Sequence, residues 1–343
     1  MNSRQRCLAA IRGEKPDRTP VFPLLMFMAV DRAGTTYREF ASDGQVLAEA
    51  QLMIYERYHV DAITACSDAF RLSADLGGRI VFPESKPPYI EAPIVTRPED
   101  IDRLPKPDPR QAGSRMADRI RGCEIMAKAA GDECLVLGWV DMPFAEACSA
   151  RGVSDFMLLL VDDPSMAHKL LDRLTDSVID FALAQLEAGA EMVGAGDAAA
   201  SLISPPMYRE FALPYEQRVC EAIHNAGGMI KLHICGNTTS LLPDVATLDA
   251  DLFNVDHLVD FRLACNTFKS AGKCFKGNLD PVMDIMMADA GACRRRAFKC
   301  MHLAEGARYM LSAGCEIPAE TPDDVFRAFC EAPAWYAAEK GSE

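Results

Sequence analysis

The sequence is poor in positive charge and contains no apolar run long enough to cross a membrane. Its 343 residues include 36 Lys and Arg against 50 Asp and Glu, which gives a formal net charge of −14. Nucleic-acid binding requires clustered positive charge, and the one dense basic run, at 294–296, fits an exposed helix face. The longest early apolar run, at 22–30, is interrupted by Pro23 and is too short to span a bilayer. We therefore expect no nucleic-acid partner and no membrane partner.

Cysteine pairs of the C-x-x-C type are also absent, although the chain contains 13 cysteines. An odd count cannot pair completely, and a chain of this length buries a large core without disulfide bonds. The first residues lack the apolar stretch of a secretory signal. These absences predict a cytoplasmic protein with free thiols, most of them buried as small apolar side chains.

Eight short apolar runs alternate with helix-like segments along the chain. Most of them end in polar or small residues, which is typical of parallel strands that are buried on both faces. The predicted strands lie at 20–25, 61–68, 134–141, 192–198, 229–236, 252–258, 273–280 and 309–317. This alternation predicts an α/β fold, a closed (β/α)8 TIM barrel that forms a single domain over residues 1–343. The alternative is an open doubly wound sheet, but no glycine-rich phosphate loop follows the first strand.

The longest interval between predicted strands separates the second from the third. It contains two short alternating runs, at 77–83 and 86–95, around a proline-rich turn. This pattern predicts a hairpin inserted in a loop between a strand and a helix, over residues 72–110. A loop at the carboxyl ends of barrel strands would form a lid or a wall of the substrate site.

The strongest chemical motif is His233-Ile234-Cys235-Gly236, at the end of the fifth predicted strand. Residues i and i+2 of a strand point to the same face, so the imidazole and the thiol project together into the barrel mouth. Cys315 ends the eighth predicted strand and reaches the same rim in a barrel. An imidazole and two thiolates favour Zn²⁺ over the hard ions Mg²⁺ and Ca²⁺. His233 and Cys235 alone also fit a buried histidine beside an apolar cysteine, and the third ligand favours the metal site.

A carboxylate could supply a fourth, exchangeable zinc ligand. Asp256 ends the sixth predicted strand, which lies next to the fifth, and is the candidate. The alternative role for Asp256 is an N-cap or a hydrogen-bonding residue of the rim. Glu316 adjoins Cys315 but points to the opposite face if the strand continues.

Polar side chains end several other predicted strands. Asp68, Asp141 and Asp197 end the second, third and fourth strands, and Asn278 lies at the end of the seventh. Polar groups at the carboxyl rim of a barrel are typical of catalytic or substrate-orienting residues. We predict such roles for Asp68, Asp197 and Asn278. The alternative for the carboxylates is capping of the helices that follow.

In order and spacing, a set of short motifs resembles the uroporphyrinogen decarboxylase superfamily over nearly the whole chain. The motifs are KPDRTPV at 15–21, DA at 61–62 with SD at 67–68, LISP at 202–205 with FALPY at 211–215, GNLDP at 277–281, and GCEIP at 314–318 followed by TP at 321–322. The fold of this superfamily is a (β/α)8 barrel, which the resemblance therefore implies for this chain.

Two departures from the decarboxylases set this sequence apart from them. The decarboxylases carry the arginine-rich segment R-Q-A-G-R-Y-M after the first strand, whereas residues 24–30 here are apolar throughout. They also carry a histidine at the position of Cys315. Both differences remove groups expected to bind a highly anionic tetrapyrrole, so decarboxylation is the less favoured activity.

The H-x-C…C pattern resembles the methyltransferase branch of the superfamily, typified by the methylcobalamin:coenzyme M methyltransferases. By this resemblance His233, Cys235 and Cys315 bind zinc, and Asp256 takes the acidic fourth position that a substrate thiol displaces. A thiol that coordinates a metal is deprotonated, which makes it a nucleophile. The resemblance implies a zinc-dependent transfer of a methyl group from a methylated corrinoid to a thiol.

The corrinoid is expected to come from a separate protein, because the cobalamin fingerprint D-x-H-x-x-G is absent and a full barrel leaves no room for a second domain. Met26, Phe27, Met28 and Trp139 would form an apolar rim that suits the face of a corrinoid, or they pack the top of the barrel. Two other functions stay open. One is methyl transfer from a methoxy compound to a corrinoid protein, with zinc as the Lewis acid. The other is a non-catalytic, metal-storing relative.

Overall fold

The computed structural model describes residues 1–84 and 86–340, and a parallel sheet of seven strands runs through them. Its order is β1-β4-β5-β6-β7-β8-β9, and a separate antiparallel pair, β2-β3, makes a second small sheet. The strands are β1 Ala62–Thr64, β2 Ile80–Val81, β3 Tyr89–Ile90, β4 Leu135–Asp141, β5 Met192–Gly196, β6 Met229–His233, β7 Leu252–Asn254, β8 Cys274–Leu279 and β9 Tyr309–Ala313.

The first predicted strand closes this sheet into a barrel, although it forms only isolated bridges rather than a continuous ladder. On one side, Phe22 donates its amide hydrogen to the Leu311 carbonyl at 2.9 Å. On the other side, the Asp61 amide donates to the Val21 carbonyl at 2.8 Å. The segment at 20–24 therefore joins β9 to the residue before β1, and the predicted (β/α)8 barrel is confirmed.

Helices cover the outside of the barrel and alternate with its strands. They are α1 Ser3–Arg12, α2 Phe27–Ala33, α3 Tyr37–Ser42, α4 Gly44–Tyr58, α5 Arg71–Asp75, α6 Pro98–Arg103, α7 Arg115–Ala130, α8 Pro143–Arg151, α9 Val153–Asp162, α10 Pro164–Glu187, α11 Pro205–Phe211, α12 Leu213–Asn225, α13 Leu242–Val245, α14 Phe261–Ser270, α15 Ala290–Leu303 and α16 Asp323–Lys340. A short 3₁₀ helix (Ala198–Leu202) follows β5 and a π-helix (Pro281–Met286) follows β8. Among the described residues, none of these helices is both long enough and apolar enough to cross a membrane.

The lumen of the barrel is closed at the amino ends of its strands. Cys7, Leu8 and Ile11 of α1 pack there against first residues of the strands, such as Leu135 and Leu252. Each fully buried leucine or isoleucine in such a plug contributes about 1.5–3 kcal/mol. With this end sealed by apolar contacts, the opening lies at the carboxyl ends, where the predicted site residues are.

The motif at 15–21 has a structural role at the sealed end. The buried carboxylate of Asp61 accepts hydrogen bonds from Arg6 at 2.5 Å, Arg18 at 2.8 Å and the Val21 amide at 2.7 Å. Arg6 also pairs with Asp17 at 2.6 Å. This network fixes the start of the first barrel segment.

The insertion predicted over residues 72–110 contains the antiparallel pair β2 and β3, with Ile80 opposite Ile90 and Val81 opposite Tyr89. Residue 85, between these two strands in the sequence, lies outside the described residues. The guanidinium of Arg115 stacks 4.8 Å from the ring centre of Phe82, which anchors the hairpin to α7.

Candidate metal centre

Three side chains that could ligate a metal converge at the barrel mouth. Nε2 of His233 lies 2.9 Å from Sγ of Cys235 and 3.7 Å from Sγ of Cys315, and the two sulfur atoms are 3.6 Å apart. His233 is buried, and both cysteines are half-buried. Within the described part of the chain, this is the one group of three or more such ligands whose atoms lie within 4.8 Å of one another.

The backbone explains why residues far apart in sequence meet here. His233 is the last residue of β6, and Gly236 adopts a positive φ of 93°, which turns the chain directly after Cys235. Cys315 follows β9 at the same rim. A Cβ atom on Gly314 would lie 2.2 Å from the His257 amide nitrogen, so glycine permits the close approach that brings Cys315 to the cluster.

The two thiols hold unequal charge in the absence of a metal. Hydrogen bonds from Cys235 and from His233 lower the pKa of Cys315 to about 3, although burial opposes this. The pKa of Cys235 is raised, chiefly by its hydrogen bond with Cys315 and then by burial. The pair therefore holds one thiolate and one thiol, and the remaining proton is the one that a bound cation would displace.

The spacing of the three atoms fits zinc. With Zn–S bonds of about 2.3 Å and a Zn–N bond of about 2.0 Å, a tetrahedral ion separates its ligand atoms by about 3.5–3.8 Å. The distances of 3.6 and 3.7 Å involving Cys315 agree with that value. The shorter 2.9 Å contact between Cys235 and His233 is a hydrogen bond whose proton a metal would replace.

Asp256 lies next to this cluster but is not a member of it. Its Oδ2 accepts the Gly236 amide at 2.9 Å and its Oδ1 accepts the Leu258 amide at 2.9 Å. Both oxygens are thus used to hold the turns after β6 and β7. The structure places the predicted fourth ligand behind the thiols, where its charge raises the pKa of Cys235.

Two buried lysines occupy the lumen beneath the cluster, and our sequence interpretation did not identify them. Lys231 precedes His233 by two residues on β6, so both side chains face the lumen, and Lys276 lies on β8. Nζ of Lys276 is 4.1 Å and Nζ of Lys231 is 5.9 Å from the ring centre of Phe22. Burial lowers the pKa of Lys231 to about 8 and that of Lys276 further. The sequence feature that could have identified Lys231 is its position two residues before His233, on the same face of the strand.

Asp68 lies at the rim after β1, within a cluster of three arginines. Arg115 binds both of its oxygens, at 2.8 and 3.0 Å, and Arg71 and Arg119 approach to 3.8 and 4.0 Å. The Ser67 hydroxyl also donates to it at 2.7 Å. Although burial opposes ionisation, these arginines hold the pKa of Asp68 well below its usual range. Here the carboxylate is saturated with donors.

Asp197 faces away from the lumen. In β5 the lumen positions are Gly194 and Gly196, which leave room for the Trp139 ring, and Asp197 follows in the outward phase. Its carboxyl is fully buried beside Glu216 of α12, which accepts a hydrogen bond from Tyr208. Burial, and then the charge of Glu216, raise the pKa of Asp197 well above its usual range. The structure does not bring Asp197 to the metal cluster.

The side chain of Asn278 forms its hydrogen bonds within the protein. Its amide nitrogen donates to the Asp256 carbonyl at 3.1 Å and to the Val259 carbonyl at 2.8 Å. Asn278 also lines a cavity of about 510 Å³ together with His257 and Asp280. Its contact with Asp256 links β8 to the turn behind the thiols.

The four residues predicted to form an apolar rim take different positions. Met26 and Trp139 lie together near the top of the lumen with Leu24 and Cys66. The Phe27 ring stacks on Tyr37 with ring centres 4.3 Å apart. Met28 is fully buried in the layer between sheet and helices and cannot face a ligand in the mouth.

Glu316 fixes this side of the mouth. Its carboxylate accepts the amides of Met26 at 3.1 Å and Phe27 at 2.6 Å, at the start of α2. Burial raises the pKa of Glu316 to about 8. Because β9 ends at Ala313, the strand phase from which its orientation was predicted does not reach Glu316.

Four exposed apolar side chains lie in segments that follow three of the barrel strands. Leu202 after β5, Leu258 after β7, and Met283 and Met287 after β8 are 55–68% exposed. All follow the carboxyl ends of parallel strands, so they lie on the same face as the cluster.

Solved structures share this fold over nearly the whole chain. A methyltransferase from Methanosarcina mazei superposes with a TM-score of 0.88 at 21% identity, covering 98% of this chain and 99% of the other. A B12-independent methionine synthase from a Shewanella species superposes with a TM-score of 0.58 at 12% identity, covering 87% of each chain. At these identities the likeness establishes the fold.

A family profile that matches nearly the whole chain establishes the family, and sequence relatives agree with it. A uroporphyrinogen decarboxylase from Nostoc punctiforme is 27% identical over 338 residues, covering 94% of each chain. A uroporphyrinogen decarboxylase from Prochlorococcus marinus is 26% identical over 342 residues, covering 95% of each. The family profile described as Uroporphyrinogen decarboxylase (URO-D) matches residues 2–334. The chain therefore belongs to the uroporphyrinogen decarboxylase family.

Proposed function

We propose that this chain is a zinc-dependent methyltransferase that moves a methyl group from a corrinoid, carried by a partner protein, to the sulfur of a thiol. The observation that carries the proposal is the convergence of His233, Cys235 and Cys315 at the mouth of the barrel. Three protein ligands are the usual number in a catalytic zinc site, which keeps a position open for substrate. The fold neighbour from Methanosarcina mazei, a methyltransferase, supports the same reaction class.

A zinc ion at this centre would supply the Lewis acidity that holds an incoming thiol as its thiolate. His233 would bind through Nε2, which already faces both sulfur atoms. Cys235 would give up the proton that it holds beside Cys315. Asp256 keeps the turn at Gly236 in place from behind. A corrinoid on the partner protein would supply the methyl group as an electrophile, and His233, Cys235 and Cys315 would hold the zinc that keeps the accepting sulfur as a thiolate.

A partner protein as the corrinoid carrier is supported by the surface around the site. The loops after β5, β7 and β8 display Leu202, Leu258, Met283 and Met287 to solvent. These side chains suit the approach of another protein rather than of a small polar metabolite. The cluster lies on the same face of the barrel, where a carrier could present its cofactor.

Decarboxylation is the second candidate, because the sequence relatives carry that name. Uroporphyrinogen has many carboxylates, so its site needs cations near the opening. At the start of α2, by contrast, residues 24–30 contribute only apolar side chains and backbone amides. The soft ligand set also has no role in a reaction that needs no metal. Both observations favour the methyltransferase.

The decisive experiment follows the absorption band of methylcob(III)alamin in the presence of zinc-loaded protein and a panel of thiols. Loss of the methyl–cobalt band with one thiol, together with the methylated thiol as product, is the expected result. Methylation of Co(I) by a methoxy compound, with no reaction of any thiol, would select the reverse transfer. Release of carbon dioxide from uroporphyrinogen III would select the decarboxylase instead.

A further inference from the structure

The interior of a (β/α)8 barrel is ordinarily filled by branched aliphatic side chains, yet two lysines occupy this lumen. Lys231 and Lys276 are each at most 1% exposed. Neither forms an ion pair with a carboxylate of residues 1–84 and 86–340. Burial without a partner disfavours the charged form of a lysine, so a lysine that stays protonated here needs a compensating anion nearby.

The two lysines differ in how far their hydrogen bonds are satisfied. Nζ of Lys276 donates to the Phe22 carbonyl at 2.7 Å and to the Ser312 hydroxyl at 3.3 Å, so it links strands of the barrel. Nζ of Lys231 makes no hydrogen bond to a described residue and lies 4.5 Å from the ring centre of Trp139. Lys231 is therefore the lysine whose donors remain available.

The groups that face Lys231 identify the anion. The ionisable groups that would favour its charged form are three cysteines, Cys66, Cys235 and Cys315, and the last two belong to the metal centre. Lys231 also lies one lumen position below His233 on β6, which keeps it under the same centre. The compensating charge is thus expected at the metal ligands or at whatever binds beside them.

The charge of the proposed centre depends on its fourth ligand. Zinc with two thiolates and a neutral imidazole is neutral, and a water or an ether oxygen leaves it neutral. A thiolate gives it one negative charge. A cation held in the lumen with few other partners stabilises the second state over the first, because Coulomb interactions are strong away from bulk water.

We propose that Lys231 determines ligand specificity by making the metal centre select an anionic thiolate over a neutral oxygen or nitrogen ligand. This inference rests on the proposed function and deepens it, because a thiol acceptor presents an anion and a methoxy donor does not. Lys231 acts through the charge of the bound ligand and is a positioning residue, not a metal ligand.

The test replaces zinc with Co²⁺, whose visible absorption reports on its ligands, and titrates the full chain with two probes at one pH. The probes are 2-mercaptoethanol, which binds as a thiolate, and imidazole, which binds as a neutral ligand. Lys231→Met and Lys231→Gln are expected to weaken 2-mercaptoethanol binding by about tenfold and imidazole binding by less than about twofold. Lys231→Arg, which keeps the charge, is expected to restore the preference for the thiolate.

Lys276→Met is the matched control, because it removes a second buried lysine side chain that already has hydrogen-bond partners. It is expected to lower the melting temperature and to leave the ratio of the two affinities unchanged. An equal loss of thiolate preference in Lys276→Met, or equal weakening of both probes in the Lys231 variants, would overturn the assignment to Lys231. A wild-type chain that binds neither cobalt nor zinc would overturn the proposed function itself, and this inference with it.

Discussion

The polar side chains on the two sides of the barrel mouth differ in how far their hydrogen bonds are satisfied within the protein. On one side, Asp68 receives donors from Arg115, from Ser67 and from a backbone amide, so its hydrogen-bonding capacity is used within the protein. On the other side, His233, Cys235 and Cys315 have only one another as side-chain hydrogen-bond partners among the described residues. We call a cluster saturated when its polar atoms have hydrogen-bond partners within the protein, and such a cluster stabilises the fold. An unsaturated cluster of ligand atoms is instead free to bind a metal ion.

The largest effect is expected from breaking the unsaturated cluster. Cys315→Ala and Cys235→Ala each remove one of three ligands, so we expect the purified protein to fall from about one zinc per chain to almost none. Cys300→Ala is the matched control, since this half-buried thiol lies in α15, away from the cluster, and should leave the zinc content unchanged. Elemental analysis after dialysis against a weak chelator measures the difference. Full zinc retention in both cluster variants would remove the metal site from this account.

A change in the saturated cluster should lower stability instead. Asp68→Ala leaves the Arg115 guanidinium without its carboxylate and removes a negative charge beside Arg71 and Arg119, and removal of one partner of a buried ion pair costs about 3–5 kcal/mol. Urea unfolding followed by circular dichroism measures this loss, and zinc content should not change. Asp102→Ala breaks the exposed 2.7 Å pair with Lys169 and should cost about 0–1 kcal/mol. An Asp68→Ala protein that is as stable as wild type but inactive would make Asp68 a catalytic residue after all.

A third region is the buried pair of Asp197 and Glu216, which has neither arginine partners nor a metal site within the part of the chain that the structure describes. Its contribution to the free energy of unfolding should depend on pH. Burial raises the pKa of Glu216 to about 7, so its protonated form stabilises the folded state fully below the ordinary value of 4.5. That stabilisation decreases by about 1.4 kcal/mol per pH unit as the pH rises from there towards 7, because the folded state then binds the extra proton.

Glu216→Gln keeps the shape of the side chain and removes this titration. The free energy of unfolding, measured by urea titration between pH 4.5 and 8, should therefore fall less steeply in Glu216→Gln than in wild type. Glu221→Gln, on the exposed face of the same helix, is the control and should follow the wild-type slope. Identical slopes in all three proteins would show that the pair does not share a retained proton.

The sequence could predict which side chains share a face of a strand when they lie within a few residues of one another. The H-x-C spacing placed His233 and Cys235 on one face, and the same phase could have revealed Lys231. The prediction for Asp197 did not foresee its outward position, because the sequence did not show that Gly194 and Gly196 occupy the lumen face of β5, which puts Asp197 in the opposite phase. The arginines around Asp68 come from α5 and α7, and no local pattern shows that helices from different parts of the sequence send side chains to one carboxylate.

The smallest effect on stability and zinc content is expected at Asp256, which lies beside the unsaturated cluster but has hydrogen-bond partners of its own. Its two oxygens accept the amides of Gly236 and Leu258, so it resembles the saturated side of the mouth although it lies behind the thiols. Asp256→Asn retains one acceptor oxygen and should cost about 1 kcal/mol of stability while zinc content stays within twofold of wild type. Urea unfolding and elemental analysis of the same samples test both statements. If Asp256→Asn instead loses zinc as completely as Cys315→Ala does, the carboxylate is a fourth metal ligand that must move from its present partners to reach the ion.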